Sequence, residues 1–324
     1  MRPLAALILA ALLATTPLRA RAADPLAFGL DWRAEAEYGG FYQALATGLY
    51  QAAGLDVSIR QGGPQVNQTQ FLLAGRLDAA IASNSFLALN FAREGLPLRA
   101  VAAMFQRDPA VLIAHPGRGN DNFAALKGKP ILIGADSRSS WWPFLRARFG
   151  YDDAQIRPYT FNLAPFLANP DAVQQGYLGS EPWSIRQATG TMPVVLLLAD
   201  AGFTGYGSLV TAGPALLARR PGVLTRFLAA TAAGWTSYLH TDPTPANKLI
   251  KQENPEMTDD LLSYGRQALI DHGIVESGDA LAGGIGVMTD ARWAGFVRAV
   301  TAQGLYPADL NWHAAYDLSF LPKP

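Results

Sequence analysis

Short apolar runs alternate with amphipathic helical segments from Leu26 to Gln303, and no other feature of this chain limits its fold so tightly. Strand-like runs fall at 26–30, 56–60, 79–82, 99–105, 111–114, 131–133, 156–160, 172–177 and 194–198. Helical periodicity falls at 41–53, 65–74, 85–93, 140–149, 221–241, 245–252, 259–270 and 290–303. Strands too apolar to alternate are buried on both faces, and their interleaving with helices predicts an α/β fold with open, largely parallel sheets covered on both sides. The length points to about two domains. Neither a fixed-period repeat nor a low-complexity tract interrupts the pattern.

The amino terminus reads as an export leader over residues 1–22. Arg2 gives a positive start, 4–14 is an apolar core, and Ala20-Arg21-Ala22 is a small-residue cleavage site. The apolar run is too short to span a bilayer as a mature helix. Losing Arg2, Arg19 and Arg21 takes a formally neutral chain to a charge of −3, so no basic face for nucleic acid is expected.

Cysteine is absent from the 324 residues. The exported chain must therefore hold itself together by its core, without disulfides, and about 300 residues can supply one. Thiolate metal sites, thiol nucleophiles and a cysteine-borne lipid anchor are excluded with it. The four histidines, His115, His240, His272 and His313, stand far apart and form no local metal motif, so no metal and no cofactor are expected.

Several segments, taken in order, carry a resemblance. Asp31-Trp32 closes the first strand, Gly40-Phe41-Tyr42 starts a helix, and Gly54-Leu55-Asp56-Val57 enters the next strand. Gly75-Arg76-Leu77-Asp78-Ala79-Ala80 resembles a "Gly-x-Val-Asp" element, Leu126-Lys127-Gly128-Lys129 a "Leu-Lys-Gly-Lys" approach to a strand, and Glu181-Pro182-Trp183 a "Glu-Pro" segment. In this order and spacing the chain resembles solute-binding proteins of ABC importers, in the branch shared by thiamin-pyrimidine synthases and by pyrimidine, sulfonate and nitrate binders.

The resemblance implies a type II periplasmic binding protein: two lobes, each with a mainly parallel sheet flanked by helices, joined by a hinge of two crossings. Turn-rich stretches at 115–120 and 200–207 are the crossing candidates, giving residues 23–114 and 205–324 to lobe 1 and 115–204 to lobe 2. It further implies a periplasmic monomer that binds a small molecule between the lobes and hands it to an ABC permease.

Ligands of open α/β sheets sit beyond the carboxyl ends of strands. The residues expected there are Trp32, Tyr38, Ser83, Asn84 and Gln106 in lobe 1, and Ser137, Ser139, Trp141, Trp142, Asn162, Glu181 and Trp183 in lobe 2. Indole and phenol faces can stack on a planar ring, though tryptophans also fill cores. Ser137, Ser139 and Ser140 suit either an anionic or carbonyl oxygen or a plain helix cap. The glutamate of the "Glu-Pro" segment contacts the heterocycle in the pyrimidine-binding relatives, which the resemblance transfers to Glu181. An ionised carboxylate accepts two N–H donors at once, as an aminopyrimidine edge requires, but a carboxylate at a helix start also faces the dipole of the following turn.

The expected function is capture of a planar nitrogen heterocycle akin to a thiamin-pyrimidine precursor. Arg107 and Arg138, in the same neighbourhood, keep an alkylsulfonate, nitrate or other organic acid open. The synthases of the branch use a cysteine-rich motif, a lysine near the strand that here reads 79–83, and a histidine. This chain has none of these there, and it lacks a nucleophile elbow, a Walker loop and a glycine fingerprint in strand-to-helix context, so no enzyme activity is expected.

Overall fold

The computed structural model describes residues 22–63, 66–160 and 162–321. The leader expected over 1–22 falls, but for its last residue, outside them. Ten strands build two five-stranded sheets: β1 Asp24–Gly29, β2 Leu55–Arg60, β3 Ala79–Asn84, β4 Arg99–Phe105, β5 Ala110–Ala114, β6 Ile131–Ile133, β7 Ile156–Pro158, β8 Val173–Tyr177, β9 Val194–Leu197 and β10 Gly207–Ala212.

The first sheet has the order β2-β1-β3-β10-β4 and the second β7-β6-β8-β5-β9. Strand β1 pairs in parallel with β2 and β3, and β6 in parallel with β7 and β8. Each sheet contains one reversed strand, β10 in the first and β5 in the second, antiparallel to both its neighbours. These two are the strands through which the chain enters each sheet after crossing from the other. Proline at position 158 is tolerated because β7 is an edge strand.

Successive residues of the central strands bury on opposite faces, as a two-residue period requires. In β5, Val111 and Ile113 enter one apolar cluster while Ala110, Leu112 and Ala114 enter the other. The long helix Pro221–His240 packs on Gly39–Ala46 at close range. Gly39 and Gly40 make room there for the rings of Tyr238 and Trp235, so the loop after β1 is seated on a rigid pair of helices.

Three departures from the sequence reading have physical causes. The run 111–114, assigned above to lobe 1, is β5 of the second sheet, and the first crossing therefore lies at 106–109, not at 115. The second lies between Ala201 and Gly207, within the turn-rich stretch 200–207. Strand β10 was not expected, because its short apolar run sits between a glycine-rich turn and Gly213-Pro214, where periodicity is silent. The helix expected over 41–53 breaks into Gly39–Ala46 and Leu49–Ala52, since Gly48 adopts the left-handed conformation (φ 76°).

Candidate ligand-binding cleft

The strand ends of both sheets open onto one cavity of about 470 Å³. Asp31, Trp32 and Glu35 reach it from the loop after β1, Ser83 and Asn84 from the end of β3, Asp108 from the first crossing and Ala110 from the start of β5. The second lobe contributes Gly134, Ala135, Ser137, Ser140 and Trp141 beyond β6, Tyr159 and Thr160 beyond β7, and Gln175, Tyr177, Ser180 and Glu181 from β8 and the turn after it. Such a crevice at the carboxyl ends of strands is where this architecture binds ligands.

Six of the residues expected from sequence line the cavity: Trp32, Ser83, Asn84, Ser137, Trp141 and Glu181. The other six stand elsewhere. Tyr38 is buried behind the wall and donates its hydroxyl to Asp31 Oδ1 at 2.7 Å. Gln106 is fully buried, donates to the Val287 carbonyl at 3.0 Å and accepts from Arg292. Ser139 is exposed at the end of the short helix Ala135–Ser139. Trp142 is core, its indole N–H donating to Asp153 at 2.9 Å. Asn162 is exposed and accepts from the Ala164 N–H, and Trp183 is half-buried on Glu181–Thr189, outside the lining. For the tryptophans the core alternative thus describes Trp142, while Trp141 is buried and yet touches the cavity.

Sequence reasoning missed Asp31, Glu35, Asp108, Tyr159 and Tyr177, all in the lining. Asp31 had a signal, the strand end beside Trp32. Glu35 reads as an ordinary polar loop residue, and Asp108 follows Arg107 like half of a solvated pair.

The lining carries four carboxyl groups, Asp31, Glu35, Asp108 and Glu181, and no lysine or arginine among the described residues. Glu181 is pinned: its Oε1 accepts from the Tyr159 hydroxyl at 3.0 Å, and its Oε2 from the Tyr177 N–H at 2.8 Å and the Ser180 hydroxyl at 3.1 Å. Glycine at 176 leaves room for this fold-back, since a Cβ there would lie 3.0 Å from Oε2. Burial raises the pKa of Glu181 and these donors hold it back. Asp31 is similarly engaged, by Tyr38 and by the Ser83 hydroxyl at 2.7 Å.

Burial pushes Glu35 well above the usual carboxylate range, with repulsion from Glu37, Glu181 and Asp31 adding to it. Burial likewise carries Asp108 up to about 7, against the pull of a hydrogen bond from the Ala110 N–H. Arg107 faces away, bonding the His272 carbonyl and Asp200, and Arg138 is exposed outside the lining. Among the described residues no cluster of metal-ligating side chains occurs, and no helix is long and apolar enough to cross a membrane.

Two such sheets, two crossings and a cavity between them define a periplasmic binding protein fold. The family described as NMT1/THI5 like matches residues 35–246, more than half of the chain, and the protein belongs to it. Solved structures share the fold at low identity. The alkanesulfonate-binding protein SsuA from Xanthomonas axonopodis pv. citri, bound to MOPS, is 15% identical with a TM-score of 0.65, covering 93% of this chain and 100% of that one. The periplasmic aliphatic sulphonate binding protein SsuA from Escherichia coli is also 15% identical, with a TM-score of 0.63 and coverage of 93% and 94%. The desulfurization enzyme DSZB, solved as a cysteine-to-serine variant with biphenyl-2-sulfinic acid, is 14% identical with a TM-score of 0.59 and coverage of 92% and 97%. No curated protein matches the chain by sequence.

Proposed function

We propose that this protein is the periplasmic solute-binding component of an ABC importer, capturing a small planar nitrogen heterocycle, of the kind that serves as a thiamin-pyrimidine precursor, between its lobes. It acts as a monomer and delivers the ligand to a membrane permease. The observation that carries the reading is the composition of the cleft: aromatic walls, Trp32, Trp141, Tyr159 and Tyr177, enclosing four carboxyl groups with no cationic side chain in the described lining. Rings stack on such walls, and carboxyl groups accept from the N–H edge of an aminated heterocycle.

A sulfonate or nitrate in the same place would meet four acidic groups in a poorly solvated cavity, repelled by those that are ionised and offered no cationic side chain by the described lining. The sulfonate-binding relatives therefore share the scaffold, and a scaffold hosts many specificities. Catalysis as in the desulfurization enzyme is a property of a relative with this fold; the present chain contains no cysteine to serve as a nucleophile.

A thermal-shift screen of the purified protein tests the reading, because only a ligand preferring the folded state raises the melting temperature. Aminopyrimidines are expected to raise it, and taurine, ethanesulfonate and nitrate to leave it unchanged. Stabilisation by the sulfonates alone would overturn the assignment, and turnover of a ligand without added partners would overturn the binding role.

A further inference from the structure

The four cleft carboxyls are not equivalent. Asp31 and Glu181 have their oxygens occupied by hydroxyls and a backbone N–H of the protein itself. Asp108 is 1% exposed, and while its Oδ1 accepts from the Ala110 N–H at 2.9 Å, its Oδ2 has no donor among the described residues. Glu35 is 5% exposed and lines the same cavity, and its carboxyl takes no hydrogen bond from any described residue. A buried carboxylate without a partner is strongly unfavourable, so each of these groups must either keep a proton or receive a donor from outside the protein.

Among the described residues no hydrogen bond supplies that donor to Glu35 or to Asp108 Oδ2. The charged and titratable groups facing Glu35 are Asp31, Glu37, Tyr38, Tyr159, Tyr177 and Glu181, and those facing Asp108 are Asp31 and Tyr177, all of them acids. The neighbouring Arg107 is committed to Asp200 and His272 on the far side of the crossing.

We propose that the ligand is a cation bearing at least two N–H groups, and that Glu35 and Asp108, rather than Glu181, are the residues that take them. The proposal rests on the capture role argued above and adds the charge of the ligand and its anchors to it. Glu181 becomes a positioning residue that folds the turn after β8. Burial and like charge favour protonated Glu35 and Asp108 in the empty cleft, so a bound cation expels protons to solvent.

Two matched probes separate the two claims: 4-amino-5-aminomethyl-2-methylpyrimidine, a cation near neutral pH, and its neutral 5-hydroxymethyl counterpart. Titration calorimetry at pH 7 in two buffers of different ionisation enthalpy reads affinity and proton release together. The aminomethyl compound is expected to bind at least tenfold more tightly than the neutral one, releasing protons. Asp108→Asn and Glu35→Gln are each expected to weaken it at least tenfold, to reduce proton release, and to leave the neutral compound within about twofold. Should either variant lose its melting transition, the other and the wild-type proton count answer the same question. Equal binding of the two pyrimidines, with both variants silent, would overturn the cation proposal and leave heterocycle capture standing. If neither pyrimidine binds, benzamidine and putrescine are titrated next. Binding that depends on Glu35 and Asp108 would uphold the cation anchors while removing the heterocycle, and no binding of any cation would overturn the anchors too.

Discussion

Two pockets flank the same pair of crossings, and they treat charge in opposite ways. On one side, a second cavity of about 370 Å³ is lined by Gln106, Arg107, Thr204 and Arg292. The Arg292 guanidinium donates to the Gln106 side chain at 3.0 Å, to the Gln106 carbonyl and to the Thr204 carbonyl at 3.2 Å. It also lies 4.2 Å from the centre of the Tyr206 ring and 3.9 Å from Asp279. On the other side, two residues along, Asp108 lines the cleft with one oxygen that has no donor among the described residues. Buried polar groups in a folded chain are normally satisfied, so the hinge-side pocket reads as structure and the unsatisfied side is the one proposed above for the ligand.

The comparison is sharpest under a change of pH. Burial raises Asp108 from 3.8, and Glu37 from 4.5, to about 7 in the fold. Native groups with raised pKa bind more protons than the unfolded chain between the two values. The stability they confer is complete below about pH 4 and is lost as the pH climbs through about 7, together on the order of several kcal/mol. Ligand-free protein is therefore expected to melt higher at pH 5 than at pH 8, and Asp108→Asn to flatten that slope. A melting temperature rising over the same interval would reverse the sign assigned to the cleft.

On the structural side of the comparison, Arg292→Ala is expected to cost about 3 kcal/mol in urea unfolding, since it takes the donor away from the buried Gln106 side-chain oxygen and from the Gln106 and Thr204 carbonyls. Glu181→Gln places an amide where Tyr177 and Ser180 donate, and is expected to weaken a heterocyclic ligand by about 1 to 3 kcal/mol by disturbing the wall. Trp32→Ala is expected to cost on the order of 1 kcal/mol of affinity through lost stacking, with folding retained, because Trp32 is only partly buried. Arg138→Ala, outside the cavity, is expected to change calorimetric affinity by less than about 0.5 kcal/mol; a larger loss would bring an anionic ligand back into consideration.

Much of the fold was legible because long helices and buried strands carry periodicity that tertiary packing reinforces. The run that becomes β4 shows it: Arg99–Phe105 is read from its apolar residues with the bounds it has in the fold. Strand β10 was illegible for the opposite reason. It is a central strand of six residues, entirely buried, with no polar alternation to separate it from a turn. The cleft was half legible. Residues that close strands, such as Trp32, Ser83 and Asn84, follow from the rule that ligands sit at carboxyl ends. Glu35 and Asp108 depend on where a loop and a crossing point their side chains, which is decided by Gly39 and Gly40 packing on Tyr238 and Trp235 and by the pairing of β5 with β8. Neither long-range contact leaves a local mark. Tyr38 and Trp142 fail for a related reason: an aromatic residue near a strand end turns inward as easily as outward, and here Asp31 and Asp153 satisfy their polar atoms behind the wall.

Native mass spectrometry of the protein purified without refolding, with the released small molecule identified, tests most directly whether an acidic, ring-lined cleft selects the ligand. The account expects a small nitrogen heterocycle carrying positive charge, bound one per chain. A sulfonate or other anion released from the wild-type cleft would contradict it.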